Sequence, residues 1–194
     1  MRRTCLPFSY ARRQRGVTVV ESLVAATIGA LVLGLGTTSV LALALNEQQS
    51  AGARALVASL EFARTAAIAR RVPVAVCGID ENGAERPLRE VRCTVEAQSW
   101  RRGWAVFEDT NRNGRIDTGE TVLHVEPGRR VDISASAVAH AAPLAAVSFR
   151  PVGALDHATP VVLAFASAGG EASRRVCVAT DGSTRILAPD LPCR

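Results

Sequence analysis

The chain has 194 residues, with 23 arginines, no lysine, 18 acids and a formal net charge of +5. Five of the arginines (Arg2, Arg3, Arg12, Arg13 and Arg15) precede Gly16 and no acid does, so the rest of the chain holds 18 arginines against 18 acids and is neutral. The basic balance is therefore a topology signal at one end and excludes a broadly basic, nucleic-acid-coating body.

Residues 1–16 read as a leader, and Cys5 belongs to it. Val17-Thr18-Val19-Val20-Glu21 follows, then an uncharged run of 24 residues from Ser22 to Leu45. As a helix, at about 1.5 Å per residue, such a run crosses a bilayer core of about 30 Å. A carboxylate at the head of an apolar segment is costly in lipid and needs a reason. A cut after Ala42-Leu43-Ala44 would fit an ordinary secretory signal, but the apolar region is about twice the usual 7–15 residues and has an acid inside it.

A basic leader ending in Gly16, a small apolar stretch and Glu21 as the fifth residue beyond resemble the class III signal of type IV pilin-like proteins. The resemblance implies cleavage by a prepilin peptidase between Gly16 and Val17, with methylation of the new Val17 amine. The family usually places Phe after the cut; this chain keeps Thr18 and Glu21 but has Val17. Glu21 then lies one helical turn from the new terminus. Buried in a bundle, its carboxylate must find a positive partner, and a neighbouring subunit's Val17 amine is the obvious one.

From Asn46 the pattern turns amphipathic. Ala53, Leu56, Val57, Leu60, Ala63, Ala67 and Ile68 recur at spacings of three and four, with Glu47, Arg54, Glu61 and Arg64 largely between them. Arg70 and Arg71 suit a helix end and Pro73 stops it. One helix over 18–71 is expected, apolar all round over 17–45 and apolar on one stripe over 46–72. Beyond Pro73 the period becomes two. Expected strands are Val74–Ile79, Gly103–Glu108, Thr121–Val125, Val131–Ser134, Ala146–Arg150, Val161–Ala166, Arg174–Ala179 and Thr184–Leu187. The fold class is α+β: one long N-terminal helix packed on a C-terminal antiparallel β-sheet domain, residues 73–194.

Ala63-Arg64-Thr65-Ala66-Ala67-Ile68, Val72-Pro73-Val74-Ala75-Val76-Cys77, Trp100-Arg101-Arg102-Gly103-Trp104-Ala105-Val106-Phe107 and Asp109-Thr110-Asn111-Arg112-Asn113-Gly114 are similar to the GspH/FimT branch of the pilin-like family. The likeness weakens over 121–170 and returns around Arg174–Ile186. It implies a structural subunit and no enzyme: a minor pilin that joins or initiates a type IV pilus through its N-terminal helix. A minor pseudopilin of a type II secretion system is the alternative, and a DNA-binding minor pilin for natural transformation a second one. Implied partners are other minor and major pilins or pseudopilins, the prepilin peptidase, the inner-membrane assembly platform and the lipid bilayer. The implied location is the bacterial inner membrane, single-pass with the C-terminal domain in the periplasm, and then the pilus or pseudopilus.

Cys77, Cys93, Cys177 and Cys193 remain beyond the leader. Four cysteines in an exported domain point to disulfides, with three possible pairings. The resemblance favours Cys77–Cys93 and Cys177–Cys193. Asp109-x-Asn111-x-Asn113-Gly114-x5-Glu120 matches the calcium-loop pattern, so Asp109, Asn111, Asn113 and Glu120 are candidate Ca²⁺ ligands. Strands rather than helices flank it, so a hairpin connector is the plainer expectation. No cofactor other than that ion is implied. His124, His140 and His157 are scattered, no nucleotide or nucleophile motif occurs, and Trp100 and Trp104 read as packing residues.

Some members of this branch bind DNA through a Gly-Arg-x-Arg-like motif. In Asp181-Gly182-Ser183-Thr184-Arg185 only the Gly and the second Arg remain. Arg174 and Arg175 stand on the preceding strand on alternate faces, so at most one shares a surface with Arg185. Five arginines against four acids from Arg150 onward make a poor phosphate footprint, and weak or no DNA binding is expected.

Overall fold

The computed structural model describes residues 16–80, 83–94, 100–128, 132–137, 144–166, 172–188 and 190–193, with the side chains of 31–46, 132, 135, 137, 172 and 173 also outside the described set. The expected leader, apart from Gly16, therefore lies outside the described residues, as does His140. The chain forms two units, Met1–Ala42 and Leu43–Arg194.

A single α-helix, α1 (Val19–Arg70, 52 residues), belongs to both units. Thr18 caps it: the Thr18 Oγ1 accepts the Glu21 N–H at 3.3 Å, satisfying one of the donors that a helix start leaves free. At the other end Arg71 takes a left-handed φ of 59°, and Pro73 follows. In the first unit Val19, Val20, Leu23, Val24 and Ile28 are all exposed. Among the described residues no helix is long and apolar enough to cross a membrane. Most of the uncharged run expected to span the bilayer, 31–45, has side chains outside the described set.

In the second unit all eight expected strands form: β1 Val74–Gly78, β2 Gly103–Glu108, β3 Val122–Pro127, β4 Asp132–Ala137, β5 Ala146–Phe149, β6 Val161–Ala166, β7 Ala172–Val178 and β8 Thr184–Leu187. They make two four-stranded sheets rather than one, ordered β3-β2-β1-β5 and β4-β6-β7-β8, with every pairing antiparallel. Both sheets pack on the apolar stripe of α1. Ala53, Leu56, Leu60, Ala63 and Ala67 join Val76, Trp104, Val106, Val147 and Phe149 of the first sheet. Leu163, Phe165, Val176 and Val178 of the second sheet complete the same core.

The sheets differ in how many faces they hide, and the sequence pattern follows. β6 alternates buried and half-buried residues, as expected for one covered face. β1 is buried at every residue. Its second face holds a separate apolar cluster of Ala75, Cys77, Ile79, Val91, Ala105, Phe107 and Ile116, where the segments after β1 and β2 fold over the sheet.

Both expected disulfides are present. Cys77–Cys93 ties the covering segment to β1, with Cα atoms 5.7 Å apart, and Cys177–Cys193 ties the C-terminus to β7 at 5.5 Å. Each spans 16 positions, so chain entropy alone gives about 3 kcal/mol apiece. Each bridge has one buried and one half-exposed cysteine, but Cys77 and Cys93 both pack in the second apolar cluster, whereas Cys177 and Cys193 belong to neither cluster. Replacing Cys77 and Cys93 together by Ala is therefore expected to destabilise more than replacing Cys177 and Cys193, by about 1 kcal/mol for the cavity left behind. Urea midpoints of the two double variants check this; equal midpoints would contradict it.

Candidate functional site

Four groups of residues carried functional expectations, and the structure treats them differently. At the start of α1, Gly16, Val17 and Glu21 are exposed. The Thr18 cap fixes the Glu21 backbone, while the Glu21 carboxylate has no hydrogen-bond or ion-pair partner among the described residues. It stands in the first turn, where the positive end of the helix dipole tolerates it. Thr18 and Glu21 have the spacing of a capping box, a local signal that the sequence carried and that our reading of it did not use.

The Asp109–Glu120 loop is closed by its own hydrogen bonds. Asp109 is fully buried, and its two carboxylate oxygens accept the Asn113 and Gly114 N–H groups, each at 3.0 Å. Asn111 Oδ1 accepts the Asn113 N–H at 3.1 Å, and Asn113 Oδ1 the Arg115 N–H at 2.8 Å. Glu120 accepts the Thr110 N–H at 2.9 Å and the Asp117 N–H at 3.0 Å. Asp117, a residue absent from the expected ligand set, is the hub. Its Oδ2 accepts the Asn111 side-chain amide at 2.8 Å and the Asn113 amide at 2.6 Å. The calcium pattern has a ligand at its ninth position, which is Asp117, so spacing alone held that signal.

Among the described residues no group of three or more His, Cys, Asp or Glu is placed to hold a metal. To gather on one cation, Asn111 and Asn113 would have to release Asp117, and Glu120 would have to release Thr110. The loop as folded is a connector whose polar atoms satisfy one another. Its charges diverge accordingly. Burial, aided by the Glu120 charge, pushes the Asp109 carboxyl above the usual range against the pull of its N–H donors. The Asn111 and Asn113 amides, then Arg115 and Arg92, hold Asp117 below it.

The three basic candidates do not form one surface. Arg175 stands opposite Leu187 and Cys177 opposite Arg185, so Arg175 and Arg185 are diagonal neighbours on the outer face of the second sheet. Arg174 stands on the other face, the one that carries Val176 toward α1. Gly182 has a structural reason instead. Its φ is +82°, and a Cβ there would strike the Gly153 carbonyl, with the Arg64 Nε 3.2 Å away. Asp181 is held below the usual carboxylate range by the Ser183 N–H, with Arg64 and Arg185 adding to the effect. It therefore keeps a negative charge beside Arg185.

Trp100 and Trp104 are wholly enclosed in the main core, as packing residues. The described histidines are apart. His124 sits 3.6 Å from Glu126, and burial pushes His157 below its ordinary value.

Compared with protein families, residues 52–182 match the one described as "Type II transport protein GspH". The chain belongs to the GspH family. Comparison with curated proteins gives no match. Among solved structures it is similar to the type IV minor pilin FimU of Pseudomonas aeruginosa, at 16% identity and a TM-score of 0.50 over 73% of this chain and 94% of that one. A second crystal form of FimU gives 19% identity and a TM-score of 0.49 over 75% and 92%. The minor pseudopilin EpsH of Vibrio cholerae gives 14% identity and a TM-score of 0.44 over 75% and 99%. The likeness to FimU is one of fold: a long N-terminal helix with an antiparallel sheet domain. GspH-family proteins are structural subunits rather than enzymes, and this chain is one of them.

Proposed function

We propose that this GspH-family chain is a minor pilin of a type IV pilus, which joins or initiates the filament through α1. The observation that carries the assembly reading is Glu21: a carboxylate exposed one turn into a capped helix, without a partner among the described residues, five residues beyond Gly16. A lone carboxylate among valines and leucines contributes little within its own chain beyond its place at the helix dipole. It becomes useful when helices bundle and it meets a terminal amine from a neighbour. On this reading a prepilin peptidase cuts between Gly16 and Val17 and methylates the new amine. The assembly platform then draws the subunit from the inner membrane, with its folded domain in the periplasm. The choice of a pilus rests on the likeness of the Gly103-Trp104-Ala105-Val106-Phe107 stretch of β2 to type IV pilus minor pilins. A pseudopilus of a type II secretion system would use the same mechanism.

DNA capture is not part of this proposal. Arg175 and Arg185 alone share a face, Asp181 opposes Arg185, and two phosphate contacts give little affinity at physiological salt.

The test is the mature terminus. Intact-mass analysis of the chain from a host with the peptidase is expected to show loss of residues 1–16 and N-methylated Val17. A terminus at Asn46, or an uncut chain in that host, would overturn the reading.

A further inference from the structure

A small groove of about 180 Å³ lies between α1 and the β7–β8 edge of the second sheet, lined by Ser50, Ala53, Arg54, Arg174 and Ile186. Two of its five lining residues are cationic and none is acidic. Arg174 stands opposite Phe165 in β6, beside the main core, and its Nε is buried with no hydrogen-bond partner among the described residues. A buried donor left unsatisfied is costly, which marks this guanidinium as imperfectly paired within its own chain. Arg54 is only loosely engaged, 4.0 Å from Glu47 with both side chains largely exposed, a pair of little strength. Ile186 opposes Val176 at the edge strand and is 41% exposed, so the groove also offers an apolar wall.

We infer that this groove holds an Asp or Glu side chain presented by a neighbouring subunit. The carboxylate lies between Arg54 and Arg174, and its aliphatic stem rests on Ile186. Arginine binds a carboxylate through paired N–H groups, which gives the contact an orientation as well as a charge match. The inference rests on the assembly reading and adds to it a contact made by the folded domain.

The chain has no lysine, which makes the test clean. Arg174→Lys introduces a side-chain amine where there was none. A water-soluble carbodiimide joins such an amine only to a carboxylate in direct reach. The full chain is expressed in its native host, filaments are sheared and treated, and the adducts are mapped by mass spectrometry. Arg175→Lys, on the opposite face, is the control. The expected result is an inter-subunit adduct between position 174 and an Asp or Glu of another subunit, absent from the control. Arg174→Glu and Arg54→Glu are each expected to be lost from sheared filaments while remaining in the membrane, and Arg175→Glu to be retained. A chain present in the filaments with no adduct at 174, with an adduct only to its own Glu47, or with equal adducts at 174 and 175 overturns the groove and leaves the assembly reading standing. A chain absent from every sheared fraction overturns both. Retention of duplex DNA that Arg174→Glu abolishes, without an inter-subunit adduct, would make the groove a phosphate site and overturn the inference as stated.

Discussion

Gly103→Ala is expected to destabilise the folded domain by about 3–5 kcal/mol, a large share of the 5–15 kcal/mol that separates folded from unfolded in a typical domain. Two effects add. Gly103 opens β2 with φ +117°, a conformation that L side chains rarely adopt; holding one there costs about 1–3 kcal/mol. A Cβ at this position would also strike the Glu126 carbonyl and stand 2.8 Å from the Gly128 nitrogen. Those atoms are backbone of the paired strand β3 and its exit, so no rotamer change relieves the clash. The strands must part, and overpacking of that kind costs about 1–3 kcal/mol more. Gly119→Ala separates the two effects, because Gly119 also has a positive φ, +97°, but nothing lies within 4 Å of its added Cβ. It is expected to cost only about 1–2 kcal/mol. Urea unfolding of both variants decides; equal losses would show that the close approach of β2 and β3 contributes nothing.

Where each residue reports on its own surroundings, the fold was legible. The alternation of Val161, Leu163 and Phe165 with smaller residues specified a strand with one covered face, and the structure has it. Ala53, Leu56, Leu60, Ala63 and Ala67 specified the buried face of α1, with Val57 half-buried beside them, but Ile68, expected on the same stripe, is 49% exposed. The division into two sheets was not legible. It depends on which strand edges meet, such as β1 with β5 across some 70 positions, and no local pattern encodes that. The unbroken apolar run of β1 held a trace of it, since a strand buried on both faces needs a second cover. The Asp109–Glu120 loop shows another limit. Residue types and spacing that suit a cation also suit a loop that ties its own N–H groups, because both demands are met by the same oxygens. In the structure the Asn111 and Asn113 amides both donate to Asp117, the arrangement of a loop that ties itself. The Arg54–Arg174 groove was hidden for a third reason: its members are 120 positions apart and come together only once β7 lies against α1.

Glu21→Ala is expected to leave the chain in the membrane and remove it from filaments. Within its own helix Glu21 contributes little. The cap belongs to Thr18, whose Oγ1 accepts the residue-21 backbone N–H whatever side chain stands there. Helix formation therefore survives the substitution, and Ala is the better helix former. Membrane insertion survives as well, because a charge is removed from an apolar segment. The loss falls on assembly. In the proposed assembly the carboxylate would pair with a neighbour's Val17 amine, and deleting one member of a buried pair leaves the other charge uncompensated at about 3–5 kcal/mol. At 1.4 kcal/mol per factor of ten, incorporation falls by about 100-fold or more. Glu21→Gln keeps the shape and loses the charge, so it is expected to fail nearly as badly; Glu21→Asp keeps the charge on a shorter stem and is expected to retain part of the activity. Quantitative immunoblots of sheared and membrane fractions, with peptidase cleavage monitored on the same samples, read all three variants. Normal amounts of the Glu21→Ala chain in sheared filaments would show that the carboxylate sets no contact between subunits.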